Sequence, residues 1–310
     1  MNSERKVILF KVEATPGTDS VPVVGTNAFQ AIDFKWGDVA KANTDSFKYA
    51  ANYYGSRDNF IVGLQRDCAF DLPVVGAGTP LGTALPAALT DLYRACGHAI
   101  VLNAAASVVI TPVNSGEETG TMYAYEDGIL RKMLYSRGHM KWMWGEGKVP
   151  RCSAAMMGLY STPTDVAMGT PTFPALQKPV GFGIGNTIIT LGGYALKSSM
   201  AELDSGRSNV YRRLSSGEDI VPSDLKPTMT LKFELPTVAQ KPIYTELEST
   251  TEQALSIVHG TVAGNIVTMD ASRAQLVDLK EEKDRTRIFV TAKLELLPSA
   301  AGVPYKFTLT

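Results

Sequence analysis

Histidine and cysteine are scarce, three of each in 310 residues, and they are scattered. His98, His139 and His259 have no second histidine or cysteine pair at ligand spacing, so a metal centre is not expected. Cys96-Gly-His98 is the nearest approach, and it falls at the end of an expected helix, where an imidazole favours the dipole. Cys68, Cys96 and Cys152 are an odd number at wide intervals, which argues against a disulfide framework and agrees with a reducing compartment. All three are expected as small core residues. Neither sign of charge dominates: 30 Lys and Arg stand against 31 Asp and Glu, a balance of -1. A basic field able to hold nucleic acid by phosphate neutralisation is thereby excluded. Long hydrophobic runs are missing too. Ala99 to Ile110 is the most tempting stretch, but Asn103 and Ser107 interrupt it, well short of the roughly 18–20 residues that a bilayer demands. The start, Met1 to Val7, carries charge and no following apolar run of signal-peptide length, so a soluble cytoplasmic chain without a membrane segment is expected.

Catalytic motifs are absent as well. Gly145-Glu-Gly147-Lys148 has Trp142 where a phosphate loop needs its first glycine and Val149 where it needs Ser or Thr. Gly181-Phe-Gly-Ile-Gly185 lacks the dinucleotide spacing and follows a proline-rich stretch, not a strand. No Gly-x-Ser-x-Gly elbow occurs, and the acid pairs Glu117-Glu118 and Glu281-Glu282 fall in turn-like stretches that predict solvated charge. No enzyme activity and no cofactor is expected.

What the chain does have is alternation. With 45% hydrophobic and 20% charged residues it can bury a core without staples. From Phe60 to Pro73 large apolar residues take every second position, Phe60, Val62, Leu64, Cys68, Phe70 and Leu72, with Arg66 as the one exception. Gln65, Asp67 and Asp71 point the other way. That is the period-2 pattern of a strand with one buried and one wet face. The pattern returns where Met229, Leu231, Phe233 and Leu235 alternate with Thr228, Thr230, Lys232 and Glu234. Phe70-Asp-Leu-Pro73 thus reappears as Phe233-Glu-Leu-Pro236, and each proline ends its ladder. Two copies of one strand predict one β domain present twice, in residues 1–178 and 179–310.

Both halves follow one order: strand, long loop, strand, helix, then a closing run of strands. In the first, Val7–Val12 is followed by a turn-rich arm through Pro22, and Phe29–Phe34 is expected to pair with the Phe60 strand. Residues 35–59 form a long connection carrying Trp36, Phe47, Tyr49, Tyr53 and Tyr54. Such a length is uncommon in a compact β domain; it reads either as an interaction arm or as a hairpin folded back onto its own sheet. Thr83 to Cys96 predicts a capped helix with a stripe of Leu85, Ala88, Leu89, Leu92 and Cys96. Strands are expected at 108–110, 120–125, 129–135, 138–144 and 151–160. The second half offers a weaker helix over 242–257, strands at 265–269 and 274–279, a charged turn at 280–284 and a strand from 287 to 297. A Thr/Pro-rich bridge, Ser161–Pro179, joins the halves and is expected to be extended.

Lys11-Val-Glu-Ala-Thr-Pro-Gly-Thr-Asp-Ser-Val-Pro22 followed by Asn27-Ala28 resembles the opening of tail tube (major tail) proteins of long-tailed bacteriophages. Asp127-Gly-Ile129, Tyr135-Ser-Arg-Gly138, Glu146-Gly-Lys-Val-Pro150 and Gly158-Leu-Tyr160 are similar to the closing strands of that family. The resemblance covers Val7 to Asp165. It implies a β-sandwich with one flanking α-helix, six of which close a ring whose inner sheets join into a barrel. Stacked rings then form a tube in the virion tail, assembled in the host cytoplasm, through which DNA passes. The expected partners are further copies of the chain and the tape measure, tail terminator and tip proteins.

A tandem repeat would let three chains supply six tube domains in a pseudo-sixfold ring; an unrelated second half would sit outside a ring of six. In either case Gln65, Asp67, Asp71, Thr230, Lys232 and Glu234 are expected to face the lumen, with Lys232 paired to Glu234 or to an acid of a neighbouring chain. Trp36, Phe47, Tyr49, Tyr53 and Tyr54 are expected to reach the next ring. The competing reading is a cell-surface or carbohydrate-binding β module, which calls for a secretion signal or an aromatic platform.

Overall fold

The computed structural model describes residues 5–37, 43–46 and 59–310, and over these the chain is mainly antiparallel β with two short helices. The first half runs β1 (Lys6–Val12), β2 (Ala28–Phe29), β3 (Ile32–Trp36), the paired strands β4 (Asn43–Ser46) and β5 (Asn59–Gly63), then β6 (Gln65–Pro73) and α1 (Ala87–Ala95). It continues with the hairpin β7 (His98–Asn103) and β8 (Ser107–Pro112), then β9 (Gly120–Glu126), β10 (Ile129–Gly145), β11 (Arg151–Tyr160) and β12 (Thr164–Asp165). The second half runs β13 (Thr187–Leu191), β14 (Tyr194–Ala195), β15 (Ser198–Asp204), the hairpin β16 (Arg207–Leu214) and β17 (Gly217–Leu225), then β18 (Thr228–Glu234) and α2 (Ile243–Glu248). It closes with β19 (Glu252–His259), β20 (Val267–Asp284), β21 (Arg287–Leu296) and β22 (Lys306–Leu309).

One wall of strands crosses both halves in the order β3, β6, β11, β10, β15, β18, β21, β20, every neighbouring pair antiparallel. The first four belong to the first half and the last four to the second. Each set repeats the same order, β15 standing for β3, β18 for β6, β21 for β11 and β20 for β10. The seam is β10 against β15, with Lys141 to Gly145 opposite Asp204 to Met200. Above the wall, β1 pairs with β9 and β9 with the start of β10, just as β13 pairs with β19 and β19 with the start of β20. Strands of 17 and 18 residues thus serve both layers. In β10 the change of layer falls at a register shift between Leu134 and Arg137, where Tyr135 has φ 51°, as expected of a bulge that bends its strand. No pairing returns from β20 to β3 among the described residues, so the wall is open.

The core lies between the layers as one apolar cluster through both halves. Cys68, Phe70 and Leu72 meet Cys152, Ala154, Trp142 and Trp144, while Met229, Leu231 and Phe233 meet Val290, Ala292 and Leu294. All three cysteines are buried and free. Helix α1 buries Ala88, Leu89, Leu92 and Ala95 over this core; a fully buried Leu92 contributes about 1.5–3 kcal/mol. It starts later than expected. Pro86 stands at the N-cap, and the Thr83 hydroxyl bonds the Pro80 carbonyl instead of capping.

Several expectations need correction. Phe60–Pro73 is two strands broken at Leu64, and Phe60, Ile61 and Val62 are exposed. At Gly63 the chain passes so close to Tyr211 that a Cβ would lie 2.7 Å from its hydroxyl, so β5 leaves the wall there. Phe29 pairs with β1 and only Ile32–Trp36 pairs with β6. The second helix ends at Glu248, because Gln253, Leu255 and Ile257 alternate as the buried face of β19. Residues 280–284 continue β20 and the chain reverses only at Arg285. The expected strands at 129–135 and 138–144 are one bent strand.

Candidate functional site

The wet face of the wall is where the predicted lumen residues meet. Antiparallel register places Asp71, Ser153, Lys141, Asp204, Thr228 and Glu295 side by side on successive strands. The adjacent row is Arg151, Met143, Glu202, Thr230, Lys293 and Asp278. A third holds Gly145, Met200, Lys232, Thr291 and Lys280. Gln65, Asp67, Asp71, Thr230, Lys232 and Glu234 are all partly exposed on this face. Their neighbours Cys68, Phe70, Leu72, Met229, Leu231 and Phe233 are buried on the other. Two segments far apart in sequence therefore line one continuous surface, because the β10·β15 seam makes the two half-walls one sheet.

Electrostatics on this face follow strand proximity. Lys141 Nζ lies 2.7 Å from Glu202, Arg151 Nη1 3.4 Å from Asp71, and Arg287 pairs with Glu234. Lys232 does not pair with Glu234 as expected; it reaches Glu282 at 2.6 Å, across β21. The Lys232 ammonium holds the Glu282 carboxyl below the usual carboxylate range. Four cations of the wall thus each have a carboxylate beside them, which lowers the face's affinity for a polyanion.

The predicted arm is only partly within the described residues. Phe47, Tyr49, Tyr53 and Tyr54 lie outside them. Trp36 is no exposed arm residue: it ends β3 half-buried, edge-on to Phe34 at 5.1 Å. Its indole also covers Arg66, whose guanidinium sits 4.6 Å from Trp36 and 5.4 Å from Tyr160. Arg66, the exception in the alternation, is 1% exposed on the core side of β6. Burial pushes its pKa down. Aromatic faces on two elements offset part of that desolvation. A cation at an apolar position with an aromatic on each neighbouring strand was the legible signal, and only the register reveals the neighbours.

Sequence reasoning missed two features. The hairpin β16–β17 follows β15 as β4–β5 follows β3, so each half carries one hairpin at the same place in its chain order. The second is Arg207, which enters the first half and bonds Glu117 at 2.6 Å and the Val113 carbonyl at 2.8 Å. Glu117 is therefore not simply solvated; Arg137 also donates to its carbonyl. Among the described residues no group of His, Cys, Asp and Glu could hold a metal, and no helix is long and apolar enough to cross a membrane.

No family model matches the chain, and no curated protein matches it.

Proposed function

We propose that this chain is a structural subunit that assembles into stacked rings forming a phage tail tube, a conduit for DNA. The observation that carries the reading is the repeated four-strand order joined at the β10·β15 seam. Among the described residues it leaves the outer edge of β3 (Ile32–Trp36) unpaired at one side of the wall, and β20 beyond its β19-paired segment, from Leu276 to Asp284, paired only with β21. Since β3 corresponds to β15 and β20 to β10, the free edges are the two partners of the seam itself. A second copy can repeat between chains the join already made within one, a head-to-tail contact that closes by rotation. Unpaired edges invite such addition, and closure removes them.

Three chains of eight wall strands each would then form tandem tube domains around one barrel, with true threefold and approximate sixfold symmetry. Barrels of about 16–18 strands already enclose an aqueous channel, so this one has room for a lumen. Its wet face would be the lumen wall, where acids accompany the cations. Tape measure, terminator and tip proteins are the further partners the resemblance implies. Negative-stain images of the purified protein are the test. End-on averages are expected to keep threefold symmetry when sixfold is not imposed. Six whole chains around the lumen would place the second half outside and break the duplication; an absence of rings and tubes would remove the reading.

A further inference from the structure

We propose that the hairpin β16–β17 is a second inter-ring arm, seated on the opposite end of another copy of this chain; this rests on the tube reading above. The wall is polar. β3 and β15 run toward one end, and from that end both hairpins emerge, β4–β5 after β3 and β16–β17 after β15. The other end carries the tight connections, residues 146–150 between β10 and β11 and residues 285–286 between β20 and β21. Rings built from one polar chain repeat along their axis only by bringing hairpin end against turn end.

Both ends are apolar where they would meet. On β16, Val210 is 46% and Leu214 58% exposed, which is costly for a two-stranded ribbon unless something covers it. At the turn end Val149 is 42% and Val238 68% exposed, and Ile184 is fully exposed two residues from Phe182, whose amide bonds the Lys148 carbonyl at 2.9 Å. The hairpin is also positioned. Arg213 bonds the Val62 carbonyl of β5, so the strand β16 is held against β5. The occupant that fits is thus the turn end of a copy in the next ring, its Val149 and Ile184 against Val210 and Leu214.

The test is Val210→Asp with Leu214→Asp, two positions exposed in the single chain, and separately Val149→Asp with Ile184→Asp. Tube length is read by electron microscopy and sedimentation, and ring symmetry by end-on averages. Either double variant is expected to keep rings while mean tube length falls about tenfold or more, since each 1.4 kcal/mol lost per contact is tenfold in association. Tubes of wild-type length from the β16 variant would overturn the proposal and leave the tube reading standing. So would loss of rings in that variant alone, which would place the hairpin in ring closure, or wild-type rings that never stack. Wild-type protein that forms neither rings nor tubes removes the underlying reading instead.

Discussion

The two halves differ most between α and the following strand. In the first half α1 leads into the hairpin β7–β8, whose second strand pairs with β22 of the second half. In the second half α2 leads straight into β19. The halves of one chain are therefore clamped twice, by the β10·β15 seam in the wall and by β8·β22 in the other layer, with Arg207 between. In the proposed contact between chains, β20 against β3, no hairpin after α2 among the described residues would repeat that clamp. The same sheet order would then carry two junctions, of which the one within the chain alone has the second clamp.

The largest expected effect tests whether the two halves of the shared core are equivalent. Phe70 is 2% and Phe233 0% exposed at matching places in β6 and β18, so Phe70→Ala and Phe233→Ala should each cost about 3–5 kcal/mol. Urea unfolding measures both; a loss below 1 kcal/mol at one site would break the match. Next is the clamp. Arg207→Ala leaves Glu117 and the Val113 carbonyl without their cation, at about 3 kcal/mol for a buried pair broken on one side. Fluorescence from Trp142 and Trp144 and far-ultraviolet dichroism should then cease to unfold together, because the halves uncouple. Coincident transitions in the variant would mean the wall alone holds them.

Histidine offers a smaller contrast. Burial, with Arg207 nearby, pushes His98 down to about 3, while burial lowers His259. A base depressed in the folded state stays neutral there while the unfolded chain takes up a proton below about 6.5. Stability is then fully present above that value and falls as the pH drops toward the folded pKa. For His98 the loss between pH 6.5 and 5 is about 1–2 kcal/mol. Unfolding of His98→Gln at both pH values should show a shallower dependence than wild type. Smallest in stability is the wall's wet face. Asp67→Lys with Asp71→Lys removes one half-exposed pair to Arg151, worth under about 1 kcal/mol. Tubes should stay intact while genome delivery slows, since unmatched cations grip phosphates. Unchanged infectivity would show that this face is not the conduit.

Much was legible in the residues. Alternation alone identified β6 and β18, their buried and wet faces and the echo between them, because the period of a strand is a local property. It also located β1, β9, β11 and most of α1. Boundaries failed where tertiary contact overrode local pattern: β5 was joined to β6 because Phe60 and Val62 continue the alternation, although they belong to an exposed hairpin. The 280–284 stretch read as a turn by its charge, yet Lys232 and Tyr244 give Glu282 and Glu281 partners along a strand.

What the chain determined by itself is therefore a β fold of two like patterns, each with a face for water. Which strands meet across the midline was decided only in three dimensions. Period-2 patterning states which side of a strand is buried but is blind to the neighbour on either edge, since backbone hydrogen bonds carry no side-chain identity. The β10·β15 seam, the Lys232–Glu282 pair and the Arg207 clamp all join residues distant in sequence. The seam and the clamp exist because two halves with complementary edges pack as one sheet, and the Lys232–Glu282 pair because β18 and β20 flank β21; all are properties of the assembled wall and of no single strand.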